Sequence, residues 1–145
     1  MKFFIDENVP EPVCGSLTAL FLTHEFVSAF QDAKYQGIDD VPLFRLLSKR
    51  GFHAIITQDK NQLKNPKERR ALFDCNLHWI GHNMNKETGL RSIALTSATI
   101  SAGFQFVLDS WVDEPHVYRL TGVRSQISQR LKRSPVWNES LDLTA

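Results

Sequence analysis

Apolar and polar positions along the chain alternate between strand-like and helix-like spacing. Lys2–Ile5 carries Phe3, Phe4 and Ile5 in one short run, the pattern of a strand buried on both faces. Polar Asp6-Glu7-Asn8 follows, and Pro10 and Pro12 suit the first turn of a helix reaching about Phe21. A second strand is predicted over His24–Phe30 from Phe26, Val27 and Phe30, and the polar, glycine-containing stretch from Gln31 to Asp40 reads as a loop. Between Asp40 and about Arg50, Leu43, Leu46 and Leu47 fall at helical spacing, with Asp40 as candidate cap, Pro42 tolerated in the first turn and Gly51 as the stop. His53–Thr57 is the clearest strand. Gln58 to Lys64 reads as a loop, Pro66 opens a helix to about Phe73, and Leu77–Ile80 is a fourth strand. A long amphipathic helix is predicted from Thr88 to about Trp111, with Gly103 as its weak point, before an edge strand at Pro115–Leu120.

Strands alternating with helices predict an α/β layered domain around a mostly parallel sheet of about five strands. No repeat or second domain interrupts it, so residues 1–120 form one unit. Residues 121–145 make a basic tail, with Arg124, Arg130, Lys132 and Arg133, that packs on or extends from that unit and is irregular after Pro135. With 145 residues, 42% hydrophobic and 23% charged, the composition is that of an ordinary soluble domain. A net charge of +1 gives no global attraction to nucleic acid, so any such contact needs local basic patches. Two cysteines, Cys14 and Cys75, make no disulfide framework and point to a reducing cytoplasm. No apolar stretch approaches a membrane span, and no signal pattern precedes the first strand.

Three acids change the picture. Asp6 and Asp59 each follow an apolar strand, and Asp40 opens the helix leading into the third strand, which would place all three at one edge of a parallel sheet. Carboxylates brought together repel, and a divalent cation removes that penalty; hard oxygen ligands suit Mg²⁺ or Mn²⁺. Such a site serves phosphodiester hydrolysis, which needs an activated water and charge neutralisation on the phosphate. Singly, each acid has a plainer reading, as a turn residue or a helix cap. Lys60, Lys64, Lys67, Arg69 and Arg70, with Arg45, Lys49 and Arg50, could form a positive rim for a phosphate backbone or merely solvated helix faces. Lys60 abuts Asp59; Gln58 and Asn8 could place a water or a phosphate oxygen. Cys75, His78 and His82, with Cys14, do not have the spacing of a zinc module.

The order of these motifs resembles the short PIN-like domains, a branch of the PIN nuclease superfamily. Phe4-Ile5-Asp6-Glu7-Asn8-Val9-Pro10 is similar to the family's opening Asp-Glu-Asn motif, Asp40-Val41-Pro42-Leu43 to its second and Ile55-Ile56-Thr57-Gln58-Asp59-Lys60 to its third. The resemblance covers roughly the first half of the chain. It implies a three-layer α/β sandwich and a Mg²⁺- or Mn²⁺-dependent ribonuclease with Asp6, Asp40 and Asp59 as catalytic and metal-binding residues. It also implies an RNA substrate and service as the toxin of a bacterial toxin–antitoxin pair, with an antitoxin as partner; a homodimer is left open. The family usually has a second acid and an aromatic after Thr-x-Asp, where this chain has Asn61 and Gln62, which leaves three acids and either one metal or two. Two other functions compete: a non-catalytic binding module on the same fold, and a metal-dependent DNA nuclease or phosphatase.

Overall fold

A computed structural model describes residues 1–83, 85–124 and 126–137. Five strands, β1 (Lys2–Ile5), β2 (Glu25–Ser28), β3 (Ala54–Thr57), β4 (His78–His82) and β5 (Val117–Leu120), form one sheet in the order β2-β1-β3-β4-β5. Every pairing is parallel, with Phe4 opposite Val27 on one side and Ile55 on the other. The helices are α1 (Pro12–Leu20), α2 (Asp40–Lys49), α3 (Asn61–Lys64), α4 (Pro66–Asp74), α5 (Gly89–Asp109) and α6 (Ile127–Arg130). No helix among the described residues is long and apolar enough to cross a membrane.

The period-two alternation of the strands sorts their side chains into two cores. Phe3, Ile5, Ile56 and Ile80 pack with Val13 and Leu17 of α1 and with Ile100, Phe104 and Val107 of α5. Phe4, Ile55 and Trp79 face the other way, onto Leu43, Phe44 and Leu47 of α2 and Ala71 and Leu72 of α4. The three layers of the predicted sandwich are therefore present. The β3–α4–β4 and β4–α5–β5 connections both step one strand in the same direction but over opposite faces, so they have opposite hands. That departure lets α5 cover Ile80 and Phe3 on the face that the shorter α1 cannot cover alone. Gly103, which weakens the helix locally, lies where α5 comes close to β5: a Cβ there would lie 2.8 Å from a Leu120 methyl and make that side chain shift.

Several predicted boundaries move. The second strand ends at Ser28, where the Ser28 hydroxyl accepts from the Phe30 N–H and starts a 3-10 turn, Ala29–Gln31. The Gln31–Asp40 loop holds a further 3-10 turn at Ala33–Tyr35, capped by Asp32. The Gln58–Lys64 loop contains α3, a short helix that buries Gln62 and Leu63. Strand four runs on to His82 rather than stopping at Ile80, because β5 pairs with it through Gly81 and His82. In the tail, Val123 N–H donates to Thr99 Oγ1 on α5, and α6 lies against α5 around a cavity lined by Arg91, Leu95 and Ile127. Residues 138–145 of the tail lie outside the described residues.

Candidate metal centre

The connection from β1 passes over one face of the sheet and that into β3 over the other, so the carboxyl ends of β1 and β3 flank the crevice where ligands bind in sheets of this type. Asp6 is the first residue beyond β1, and its N–H still donates to Ile56 O at 2.9 Å. The residue is 7% exposed, and its carboxylate accepts from the Glu7 N–H at 2.9 Å and the Thr57 hydroxyl at 2.8 Å. Burial pushes the Asp6 carboxyl up; the Thr57 and Glu7 bonds oppose this, and the charges of Asp40 and Glu7 add to it.

Asp40 enters from α2. It is not the helix cap, as the chain pattern suggested: Asp39 holds that position in extended backbone and makes no side-chain capping bond, while Asp40 is the first helical residue. Its carboxylate is therefore free to reach the crevice, where Asp40 Oδ1 accepts from Gln62 Nε2 at 3.1 Å. The same Gln62 amide approaches Asp6 Oδ2 at 3.4 Å, so one fully buried side chain joins the two acids. Gln62 is oriented in turn by the Trp79 indole N–H, which donates to Gln62 Oε1 at 3.2 Å. The six-membered ring of Trp79 occupies the space beside Gly81, where a Cβ would come within 2.0 Å of it, so only glycine permits this placement.

Asp59, just past β3, stands at the same edge, and its Oδ1 accepts from the Asn61 N–H at 2.9 Å and starts α3. A fourth acid appears that the motifs did not indicate. Glu68, in the first turn of α4, is raised by burial first, then by hydrogen bonding to Asp40 and by the charges of Asp40 and Asp59. Its place in the sequence, three residues after the helix-capping Asn65, reads as an ordinary capping position. Here it lies near enough to Asp40 and Asp59 for their charges to raise its pKa beyond the effect of burial. The donor set of Asp6, Asp40, Asp59 and Glu68 is all hard carboxylate oxygen and suits Mg²⁺ or Mn²⁺. Among the described residues no three acidic, cysteine or histidine side chains are drawn tightly enough around one point to hold an ion as they stand. The Gln62 amide, donating to both Asp6 and Asp40, occupies the space between them.

Asn8 and Gln58 hold the two loops together. Gln58 N–H and Nε2 donate to Asn8 Oδ1 and Asn8 O at 3.1 and 2.9 Å, and Asn8 Nδ2 donates to Thr57 Oγ1 at 3.1 Å. Lys60 Nζ is bonded to Asn83 Oδ1. Arg45, Lys67 and Arg70 line a groove of about 480 Å³ between α2 and α4, bordered by Val41 next to Asp40. The candidate zinc residues are dispersed. Cys75 lines this groove, whereas Cys14, His78 and His82 face the other side of the sheet or lie within it, and burial lowers the pKa of both histidines.

Thr57 was legible as the threonine of the Thr-x-Asp motif but not as a partner of Asp6, Trp79 only as a strand residue, and Gln62 only as a departure from the motif. The signal for Gln62 was the polar residue itself, placed where an aromatic was expected and followed by Leu63 at a spacing that buries both.

Fold and site together define a parallel α/β domain with carboxylates gathered at the switch point of its sheet. The family model described as PIN like domain matches residues 1–82, more than half of the chain, and the chain belongs to the PIN-like domain family. No curated protein and no solved structure matches it.

If Asp40 serves the site and not the helix, Asp40→Asn should change stability by no more than about 1 kcal/mol, the scale of a first-turn charge with the helix dipole. It should still remove most activity, because an amide is a poor ligand for a hard cation. Asp39→Asn should alter neither. Melting curves and turnover of the two variants check this, and full activity in Asp40→Asn would reduce the site to the remaining acids.

Proposed function

We propose that this protein is a Mg²⁺- or Mn²⁺-dependent endoribonuclease. The observation that carries the reading is the buried Asp6 carboxylate linked through Gln62 to Asp40, with Asp59 and Glu68 at the same edge. Asp6, Asp40, Asp59 and Glu68 would hold the cation. Once bound, it would supply positive charge to a phosphodiester and lower the pKa of an attacking water. The residues around it have distinct tasks. Thr57 and the Glu7 N–H fix the Asp6 carboxylate, and Asn8 with Gln58 keeps the two strand-end loops in register. Lys60 and the Arg45, Lys67 and Arg70 groove offer cations to a phosphate backbone beside the acids. The toxin role, with a cognate antitoxin as inhibitor in the cytoplasm, is supported by the family likeness alone.

One observation favours the competing reading of a non-catalytic binding module: Gln62 fills the gap between two acids with a neutral donor. Incubating the purified protein with Mn²⁺ and single-stranded RNA, single-stranded DNA or a small phosphomonoester separates the classes. RNA cleavage alone is the expected result. Cleavage of DNA or of the monoester would move the assignment to the runner-up enzyme classes, and no cleavage of any would leave the binding module. Expression in a bacterial host should slow growth, and Asp59→Asn should relieve it; equal growth with both would remove the toxin role without touching the chemistry.

A further inference from the structure

The Gln62 side chain is fully buried, and each of its polar atoms has an assigned partner. An indole N–H can only donate, so Trp79 requires the carbonyl end of the amide and turns Nε2 toward the acids. A reversed amide would set Nε2 against the Trp79 N–H and Oε1 against two carboxylates. Gln62 is therefore locked in one orientation. Trp79 is itself held by its close contact with Gly81 and by burial at 2% exposure. A neutral donor held between two acids draws them together where bare repulsion would push them apart, and it does so without the strong ion pair that a lysine would form there.

We propose that Gln62, oriented by Trp79, is a positioning residue that presets Asp6 and Asp40 for a divalent cation and gives up its contact with them when the cation binds. The proposal rests on the cation reading above. The 3.4 Å approach to Asp6 is longer than the 3.1 Å bond to Asp40. The Asp6 contact is thus the weaker one and the first to break. Loss of either changes the surroundings of the Trp79 indole through the shared amide, so cation binding has an optical signature at a residue that touches no acid.

The test measures Mn²⁺ affinity by calorimetry and Trp emission during the titration, in wild type, Gln62→Leu, Gln62→Glu and Trp79→Phe, each first checked for folding by circular dichroism. Wild type should show an emission change on Mn²⁺ binding that Trp79→Phe lacks. Gln62→Leu should weaken Mn²⁺ by about tenfold or more, the usual cost of losing a group that orients metal ligands, and Trp79→Phe should weaken it in the same direction. Gln62→Glu keeps the acceptor for Trp79 but sets a third carboxylate against the other two. It should melt lower than wild type without metal and gain more from Mn²⁺. A merely structural role for Gln62 would lower melting temperatures and leave affinity unchanged. Wild-type affinity in folded Gln62→Leu and Trp79→Phe overturns the proposal while leaving the cation reading standing; if Gln62→Leu does not fold, Trp79→Phe decides alone. Absence of Mn²⁺ binding in wild type overturns both.

Discussion

Asp6→Asn is expected to abolish RNA cleavage while leaving the protein at least as stable at neutral pH. The activity loss should reach several orders of magnitude, because Asp6 is the most buried acid of the site and its removal takes away charge and ligand geometry together. The stability side follows from which bonds an amide can keep. Asn Oδ1 still accepts from the Glu7 N–H. The Thr57 hydroxyl already accepts from Asn8 Nδ2 and the Asp59 N–H, so it can accept from the new amide only by giving up the Asn8 Nδ2 bond and donating instead to Asn8 Oδ1, 3.4 Å away. The contacts that become donor against donor, from Asn8 and Gln62, are both long at 3.4 Å, so little is lost with them. Against that small loss stands the relief of a carboxylate whose pKa burial raises in the folded state. A raised folded pKa means that the native protein holds its proton more tightly than the unfolded chain. The contribution to stability is then fully present below the unfolded value of 3.8 and is lost as pH rises through the folded value. Asp6→Asn should thus melt above wild type at pH 7, and the gap should close as pH falls toward 4. Melting curves at the two pH values check it. A variant that melts well below wild type at pH 7 would show that Asp6 is a structural acid.

The sheet, its parallel sense and both apolar layers were legible because burial on two faces writes itself into runs such as Phe3-Phe4-Ile5 and Ala54-Ile55-Ile56. Asp6, Asp40 and Asp59 were legible as a set because each stands at the end or start of such an element. What was hidden depends on three-dimensional closure. Gln62 looks like a loop residue until α3 turns it under Trp79, and nothing in a run of Lys60-Asn61-Gln62-Leu63-Lys64 announces a one-turn helix. Glu68 has the spacing of a helix cap, and only the packing of α4 against α2 brings it to Asp40. In the chain pattern Asp40 reads as the cap as well as a site acid, because adjacency does not show which of two aspartates precedes the helix; the extended backbone at Asp39 makes it the cap position and Asp40 the first helical residue. The hand of the last crossover was equally out of reach, because it reflects which face α1 leaves uncovered and no local residue preference.

Removing divalent cations should stop cleavage entirely, and restoring Mg²⁺ or Mn²⁺ should raise the melting temperature as well as the rate. Anything that binds only the native state stabilises it by mass action. At a cation concentration a hundred times the dissociation constant the gain is about 2.7 kcal/mol, on the order of 5–10 °C for a chain of this size. The gain should depend on pH with a defined sign. Asp6 and Glu68 both have raised pKa values in the metal-free protein, burial being the first cause for each and the neighbouring acids adding to it. Cation and proton compete for the same oxygens, so binding expels whatever protons these two acids retain. As pH falls through their raised pKa values the cation-induced shift should shrink and then vanish. Above their raised pKa values, where the carboxylates are charged and repel, it should be largest. Asp6→Asn should show a much smaller shift at the pH where the wild-type shift is largest, since the repulsion and one ligand are gone together. The measurement is a grid of melting temperatures in pH and Mg²⁺ for wild type and Asp6→Asn, with chelator as the zero point. A cation-induced shift of equal size in both proteins would place the ion elsewhere on the surface, and a shift that grows toward acid pH would contradict binding to carboxylates.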